Sequence, residues 1–205
     1  MATYQPHDRL YRQARARGLP SRAAFKLEEL LERYRLVRPG GRVIDLGCAP
    51  GGWLAILGRA AGPEGRVIGV DLVACRAPGG RIETVTGDLR EPAVRARVAA
   101  MLGGRADLVT SDLAPKLSGI AERDAARMAE LLEVALEFAA ATLRPGGAMI
   151  AKIFMDANFE ALTARFRRHF DRVEVARTQA SRPGSSELYL VARGLRPDAE
   201  AGVNG

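Results

Sequence analysis

Val43-Ile44-Asp45-Leu46-Gly47-Cys48-Ala49-Pro50-Gly51-Gly52-Trp53 reads as a buried strand running through a glycine-rich turn into a helix. Glycine has no Cβ, so such a turn lets the backbone approach a ligand closely. The helix that follows directs unpaired N–H groups at the same place. A second apolar strand, Arg66-Val67-Ile68-Gly69-Val70, ends in Asp71. A carboxylate there accepts hydrogen bonds from ribose hydroxyls in α/β nucleoside sites. The glycines stand at 47, 51 and 52, with Ala49 where the dinucleotide fingerprint needs its middle glycine, and G-K-[ST] is missing. The NAD reading weakens accordingly and the P-loop reading falls.

The stretch D-L-G-x-x-P-G-G-W instead resembles the S-adenosylmethionine loop of class I methyltransferases. An ordinary strand-to-helix turn without a ligand is the alternative. The added Pro-Gly-Gly-Trp and the spaced acid make it the lesser reading.

The remaining chain supports one domain. Its 205 residues suffice for a sizeable core. No apolar run approaches a membrane span, and the polar start with His7, Asp8 and Arg9 is not a signal peptide. The cysteines, Cys48 and Cys75, form no zinc or redox pattern, which points to a reducing, cytoplasmic setting. Cys48 reads as a small buried filler rather than a nucleophile. His7 and His169 are the only histidines, so a His-ligated metal or a Ser-His-Asp triad is not expected. The net charge of +7 favours a polyanionic partner over a small neutral substrate. Arg9, Arg12, Arg15, Arg17, Arg22 and Lys26 crowd the first stretch against Asp8 alone. A solvated basic surface is the plainer account of that charge.

Along the chain, Ser21 is a plausible N-cap for a helix to about Arg35, with Leu27, Leu30, Leu31 and Tyr34 on one face and Pro39-Gly40-Gly41 as its stop. Strand patterns near 42–46, 66–70, 82–86, 106–111 and 147–153 alternate with helix patterns near 52–61, 91–102, 123–142 and 157–168. Such alternation predicts a parallel α/β sheet covered on both faces. Two final strand-like runs, 171–177 and 187–193, are separated by an interval around Ser181-Arg182-Pro183-Gly184-Ser185 too short for a crossover helix, and should form an antiparallel hairpin. The expected organisation is a basic segment over 1–20, a Rossmann-like domain over 21–196 and a frayed polar tail over 197–205.

The carboxyl ends of parallel strands meet at one crevice. They deliver the Gly47–Trp53 loop, Asp71, Asp88, Asp112 and Lys152, and the last strand opens with Glu187. Asp88 is placed to accept from an adenine amino group. Lysine is costly to bury unpaired, so Lys152 needs a partner. Singly, Asp112 reads as a cap, Lys152 as a snorkelling stem and Glu187 as a strand-edge charge. Their collection at one set of strand ends is harder to dismiss.

Ser21-Arg22-Ala23-Ala24-Phe25-Lys26-Leu27, the D-L-G-C-A-P-G-G-W loop, Gly87-Asp88-Leu89-Arg90, Ser111 to Gly119, Lys152-Ile153-Phe154 and Glu187-Leu188-Tyr189 together resemble the FtsJ-like ribose 2′-O-methyltransferases. The resemblance runs from about Tyr4 to Arg196. It implies a class I fold with a seven-stranded, mostly parallel sheet and a C-terminal antiparallel hairpin. It also implies S-adenosylmethionine as cofactor, no metal, a monomer, and a uridine of large-subunit ribosomal RNA as acceptor in the large ribosomal subunit. The family's catalytic tetrad falls on Lys26, Asp112, Lys152 and Glu187, and its cofactor contacts on Gly51, Trp53, Asp71, Asp88 and Asp112. Lys116, Ser185-Ser186 and 155–158 depart from the family's usual pattern and bear on the RNA-facing surface. Another RNA, such as transfer RNA or a cap, is the nearest alternative acceptor. A non-catalytic RNA- or ribosome-binding protein of the same fold is the alternative outside enzymes, and the intact tetrad argues against it. Base-amino methylation would call for N-P-P-[YF] where Asp112-Leu113-Ala114-Pro115 stands. Cytosine-C5 chemistry would call for a Pro-Cys pair, and neither cysteine follows proline.

Overall fold

The computed structural model describes residues 23–116, 118–181 and 184–197. The Ser21 cap, the basic segment 1–20, Arg22, Leu117, Arg182-Pro183 and the tail from 198 onward lie outside the described residues. In order come α1 (Ala23–Tyr34), β1 (Arg42–Leu46), α2 (Gly52–Ala61), β2 (Arg66–Asp71), β3 (Ile82–Thr86) and α3 (Pro92–Leu102). There follow β4 (Ala106–Ser111), α4 (Ala121–Thr142), β5 (Leu143–Phe154), α5 (Phe159–His169), β6 (Phe170–Ala176) and β7 (Glu187–Leu195).

The seven strands form one sheet in the order β3-β2-β1-β4-β5-β7-β6. Strands β1 to β5 pair in parallel, whereas β7 runs antiparallel to both β5 and β6. Alternation along the central strands sends Ile44 and Leu46 into the core beneath α3, α4 and α5, and Val43 into the core beneath α1 and α2. The strand order reverses between β1 and β4, which creates the crevice where open α/β sheets bind ligands. No described helix is long and apolar enough to cross a membrane.

Helix α1 ends at Tyr34, within a residue of the expected end near Arg35, whereas the start of β5 differs from the sequence reading. Helix α1 stops before the Pro-Gly-Gly run is reached. Arg35 turns into the left-handed region at φ 51°, and its N–H closes on the Leu31 carbonyl at 2.8 Å. Strand β5 begins at Leu143 instead of near 147. Leu143 pairs with Ala106, and the ladder resumes only at Ala148 with Leu108. Pro145-Gly146-Gly147 therefore forms a bulge, with Gly146 at φ +75° and a proline that has no N–H for the ladder.

Candidate active site

The ends of β1, β2 and β4 border a cleft of about 520 Å³ lined by Gly47, Ala49, Asp71, Leu72, Asp112 and Leu113 among others. It continues into a slot of about 60 Å³ that also touches Gly87, Asp88 and Leu89 at the end of β3. A larger cleft of about 690 Å³, between the C-terminal half of α2 and residues 78–82, contains none of the expected site residues.

The loop is shaped by backbone needs. Gly47 sits at φ +77°, and a Cβ there would come within 3.1 Å of Leu113. A side chain would thus be strained and would press into the cleft wall. Gly51, at φ +99°, caps α2 without a side-chain hydrogen bond, which leaves the first-turn N–H groups of that helix to other acceptors. Asp71 ties the loop to β2. Its Oδ2 accepts from the Ala49 N–H and its Oδ1 from the Val73 N–H, both at 2.9 Å. Each oxygen keeps a second lone pair for a ligand hydroxyl.

Asp88 and Trp53 both have partners within the protein. Arg90 grips the Asp88 carboxylate through Nε, Nη2 and its backbone N–H, and the side-chain pair first of all holds that acid below its ordinary range. Any further donor that reaches Asp88 has to share it with Arg90 or displace it. Trp53 does not line the cleft. Its indole N–H donates to the Ala23 carbonyl at 2.8 Å, and its ring leans on Tyr189 with centroids 6.0 Å apart. It pins α1 beside the loop, which brings Lys26 to the site. Gly51 lines neither cavity; the space above it is taken by Cys75 Sγ, 3.3 Å from where a Cβ would lie. Cys48 is buried, and burial pushes its thiol far above the usual range. It keeps its proton, as a filler would and a nucleophile would not.

Lys26, Asp112, Lys152 and Glu187 converge, although they come from α1, the end of β4, β5 and the start of β7. Lys152, 6% exposed, donates from Nζ to the Asp112 carbonyl at 2.8 Å and to Asp112 Oδ1 at 3.0 Å. Lys26 pairs with Glu187. Register explains the approach: Lys152 lies opposite Tyr189, and Phe154 opposite Glu187.

Tyr189 is the member that sequence reasoning missed. Its hydroxyl donates to Glu187 Oε1 at 3.2 Å and stands 3.5 Å from Asp112 Oδ1, so it lies between the two ion pairs. Burial above all, then the Asp112 and Glu187 charges, push its phenol far above the ordinary range. Tyr189 therefore remains a donor and is no candidate for the base. Its signal in the sequence was position alone, two residues after Glu187 on the same strand face.

The arrangement offers a buried amine held by a carboxylate, beside a cleft that has acceptors for ribose and an apolar slot for a flat ring. Residues 19–195 match the family model of the FtsJ-like methyltransferases. The chain is 45% identical over 195 residues to the ribosomal RNA large subunit methyltransferase E of Myxococcus xanthus, covering 94% of this chain and 90% of that protein. It is 44% identical over 194 residues to the protein of the same name from Anaeromyxobacter sp. strain Fw109-5, covering 94% of this chain and 70% of that one. A crystal structure of a ribosomal RNA methyltransferase from Plasmodium falciparum superposes with a TM-score of 0.75 at 25% identity, over 85% of this chain and 97% of the other. Sheet order, site geometry and these matches agree: the chain belongs to the FtsJ-like methyltransferase family.

Proposed function

We propose that this protein transfers the methyl group of S-adenosylmethionine to a ribose 2′-hydroxyl, that of a uridine in large-subunit ribosomal RNA. The observation that supports it best is the pair of ion pairs, Lys152–Asp112 and Lys26–Glu187, joined through the Tyr189 hydroxyl at the edge of the cleft. The chain fits the cofactor: Gly47 leaves a cradle that a Cβ would fill, Asp71 offers free lone pairs, and Leu72 presents an exposed apolar side chain at the rim. When bound, the cofactor supplies a methyl group already made electrophilic by its sulfonium sulfur.

The protein must supply alignment and a destination for a proton. A ribose hydroxyl is a weak nucleophile, and holding it in line can supply ~7–11 kcal/mol of the barrier in favourable cases. Lys152 has two of its Nζ positions directed at Asp112. The third, a lone pair when the amine is neutral, is left to serve the acceptor hydroxyl as base or orienting group. Asp112 fixes that direction. Glu187 holds Lys26, and Lys26 positions the hydroxyl or the neighbouring phosphate. No Lewis acid is called for, because the leaving group is activated before it binds. Residues 21–196 form the catalytic domain, and Arg9, Arg12, Arg15, Arg17 and Arg22 supply phosphate contacts. The proposed working form is a cytoplasmic monomer acting on the large ribosomal subunit.

The test is transfer of labelled methyl to purified large subunits from a strain lacking the gene, followed by nuclease mapping. Label on a uridine 2′-oxygen of the subunit RNA is expected. Label confined to transfer RNA, or to a base, would overturn the acceptor assignment.

A further inference from the structure

Asp45 is an ionisable residue in the centre of the sheet that the proposed mechanism does not use. It is fully buried. Its Oδ1 accepts the Thr110 hydroxyl at 2.8 Å, while its Oδ2 makes no hydrogen bond among the described residues. A buried carboxylate with an unsatisfied oxygen is expensive unless it is neutral or a positive charge lies near. Asp45 lies opposite Gly69 of β2 and Thr110 of β4. Two residues further along those strands, about 6–7 Å at a strand's rise, stand Asp71 and Asp112 at the cleft.

The groups around Asp45 are mostly negative or neutral. Asp71 on β2 and Asp112 on β4 add negative charge, Thr110 supplies its one hydrogen bond, and Cys48 in the loop keeps its proton. Helix α2 contributes Leu54, which packs against Gly69. Across β4 on the same face, Lys152, Lys26 and Glu187 are paired within the tetrad. Burial first, then the Asp112 and Asp71 charges, raise Asp45 to about 8, against the pull of the Thr110 hydroxyl.

We infer that Asp45 makes the cofactor site discriminate methyl donor from demethylated product by charge, ionising when the sulfonium form is bound and holding a proton otherwise. This rests on the S-adenosylmethionine reading of the cleft. S-adenosylmethionine and S-adenosylhomocysteine carry the same adenosine and amino-acid groups and differ by one methyl and one positive charge. A cation held in the cleft, whose wall begins two strand positions beyond Asp45 at Gly47, Asp71 and Asp112, stabilises its ionised form across a poorly screened interior, and a neutral thioether does not. Binding the donor below about pH 8 therefore releases a proton from Asp45 to solvent. Loss of the methyl cation during transfer removes the charge that kept the carboxylate ionised, and Asp45 recovers a proton from solvent. The Asp45 contribution to donor affinity then rises with pH while product affinity draws none from it, so the preference for product over donor is strongest at low pH.

The experiment is calorimetry of both ligands with the wild type, Asp45→Asn and Thr110→Val between pH 6.5 and 9. In the wild type, the preference for S-adenosylmethionine over S-adenosylhomocysteine should grow by about tenfold across that range. In Asp45→Asn that growth should vanish; the ligands' own ammonium groups titrate with either protein and cancel in the comparison. Thr110→Val keeps the carboxyl and nearly the same volume but removes the hydrogen bond that favours ionisation, so the rise should move to higher pH. This second variant decides the matter if Asp45→Asn does not fold. The same pH dependence of the ligand preference in all three proteins would overturn the inference while leaving the cofactor reading intact. Binding of neither ligand by the wild type would overturn both.

Discussion

Tyr189 and Lys152 face one another across β5 and β7, and what each can do follows from what surrounds it. A lysine so enclosed must be paired, which the apolar run Ala151-Lys152-Ile153-Phe154 already implies and the Asp112 contacts satisfy. Tyr189 could not be inferred in the same way, since a tyrosine in a strand is ordinary core until its hydroxyl is seen between two carboxylates. Tyr189→Phe keeps the ring against Trp53 and removes only the donor. A hydrogen bond to a charged acceptor is worth about 1.5–3 kcal/mol, so turnover should fall roughly ten- to a hundredfold as Glu187 and Lys26 lose their fixed orientation. Cofactor affinity measured by calorimetry should hardly change. Native turnover in this variant would reduce Tyr189 to a packing residue.

Among the elements, those with strong periodicity were legible in the sequence, and the junctions were not. The loop after β1 announced itself because Gly-x-x-x-Gly-Gly after a buried strand has few other uses. The antiparallel hairpin was legible because the interval between its strands leaves no room for a crossover helix. The β5 bulge was hidden, because Pro145-Gly146-Gly147 looks like a simple loop. What holds that corner is Asp107, only 11% exposed, which accepts from the Arg42 N–H at 2.9 Å, Arg144 Nε at 2.7 Å and Arg38 Nη2 at 3.2 Å. Burial pushes Asp107 up, but the Arg42 amide and the Arg144 and Arg38 guanidinium groups outweigh it and hold it below its ordinary 3.8. A depressed carboxylate stabilises the fold above its unfolded pKa, and that contribution disappears as pH falls through the folded value. Asp107→Ala should therefore cost about 1–3 kcal/mol at neutral pH in denaturant unfolding, and the gap to the wild type should narrow below about pH 4. A gap constant from pH 7 to pH 3 would show that packing, not charge, sets the loss.

At the scale of the whole molecule, the sheet places side chains from four separate segments within hydrogen-bonding reach. The reversal between β1 and β4 opens the cleft, and the antiparallel insertion of β7 beside β5 brings Glu187 and Tyr189 to Lys152. The meeting of Asp112, Lys152 and Glu187 could be anticipated from strand-end positions, but not the approach of Lys26 from α1, which only the resemblance implied, nor the pairing of Lys152 with Asp112 and of Lys26 with Glu187, which depends on register. The net charge of +7 suits a polyanionic acceptor but does not choose among RNAs. The central claim is that a buried lysine acts on a ribose hydroxyl without holding the methyl donor. Its most direct test is the single-turnover rate of methyl transfer to large ribosomal subunits by Lys152→Ala, with S-adenosylmethionine affinity measured on the same preparation. The account predicts transfer to ribose by the wild type, none by the variant, and nearly equal cofactor affinity. Near-native transfer by Lys152→Ala would contradict it.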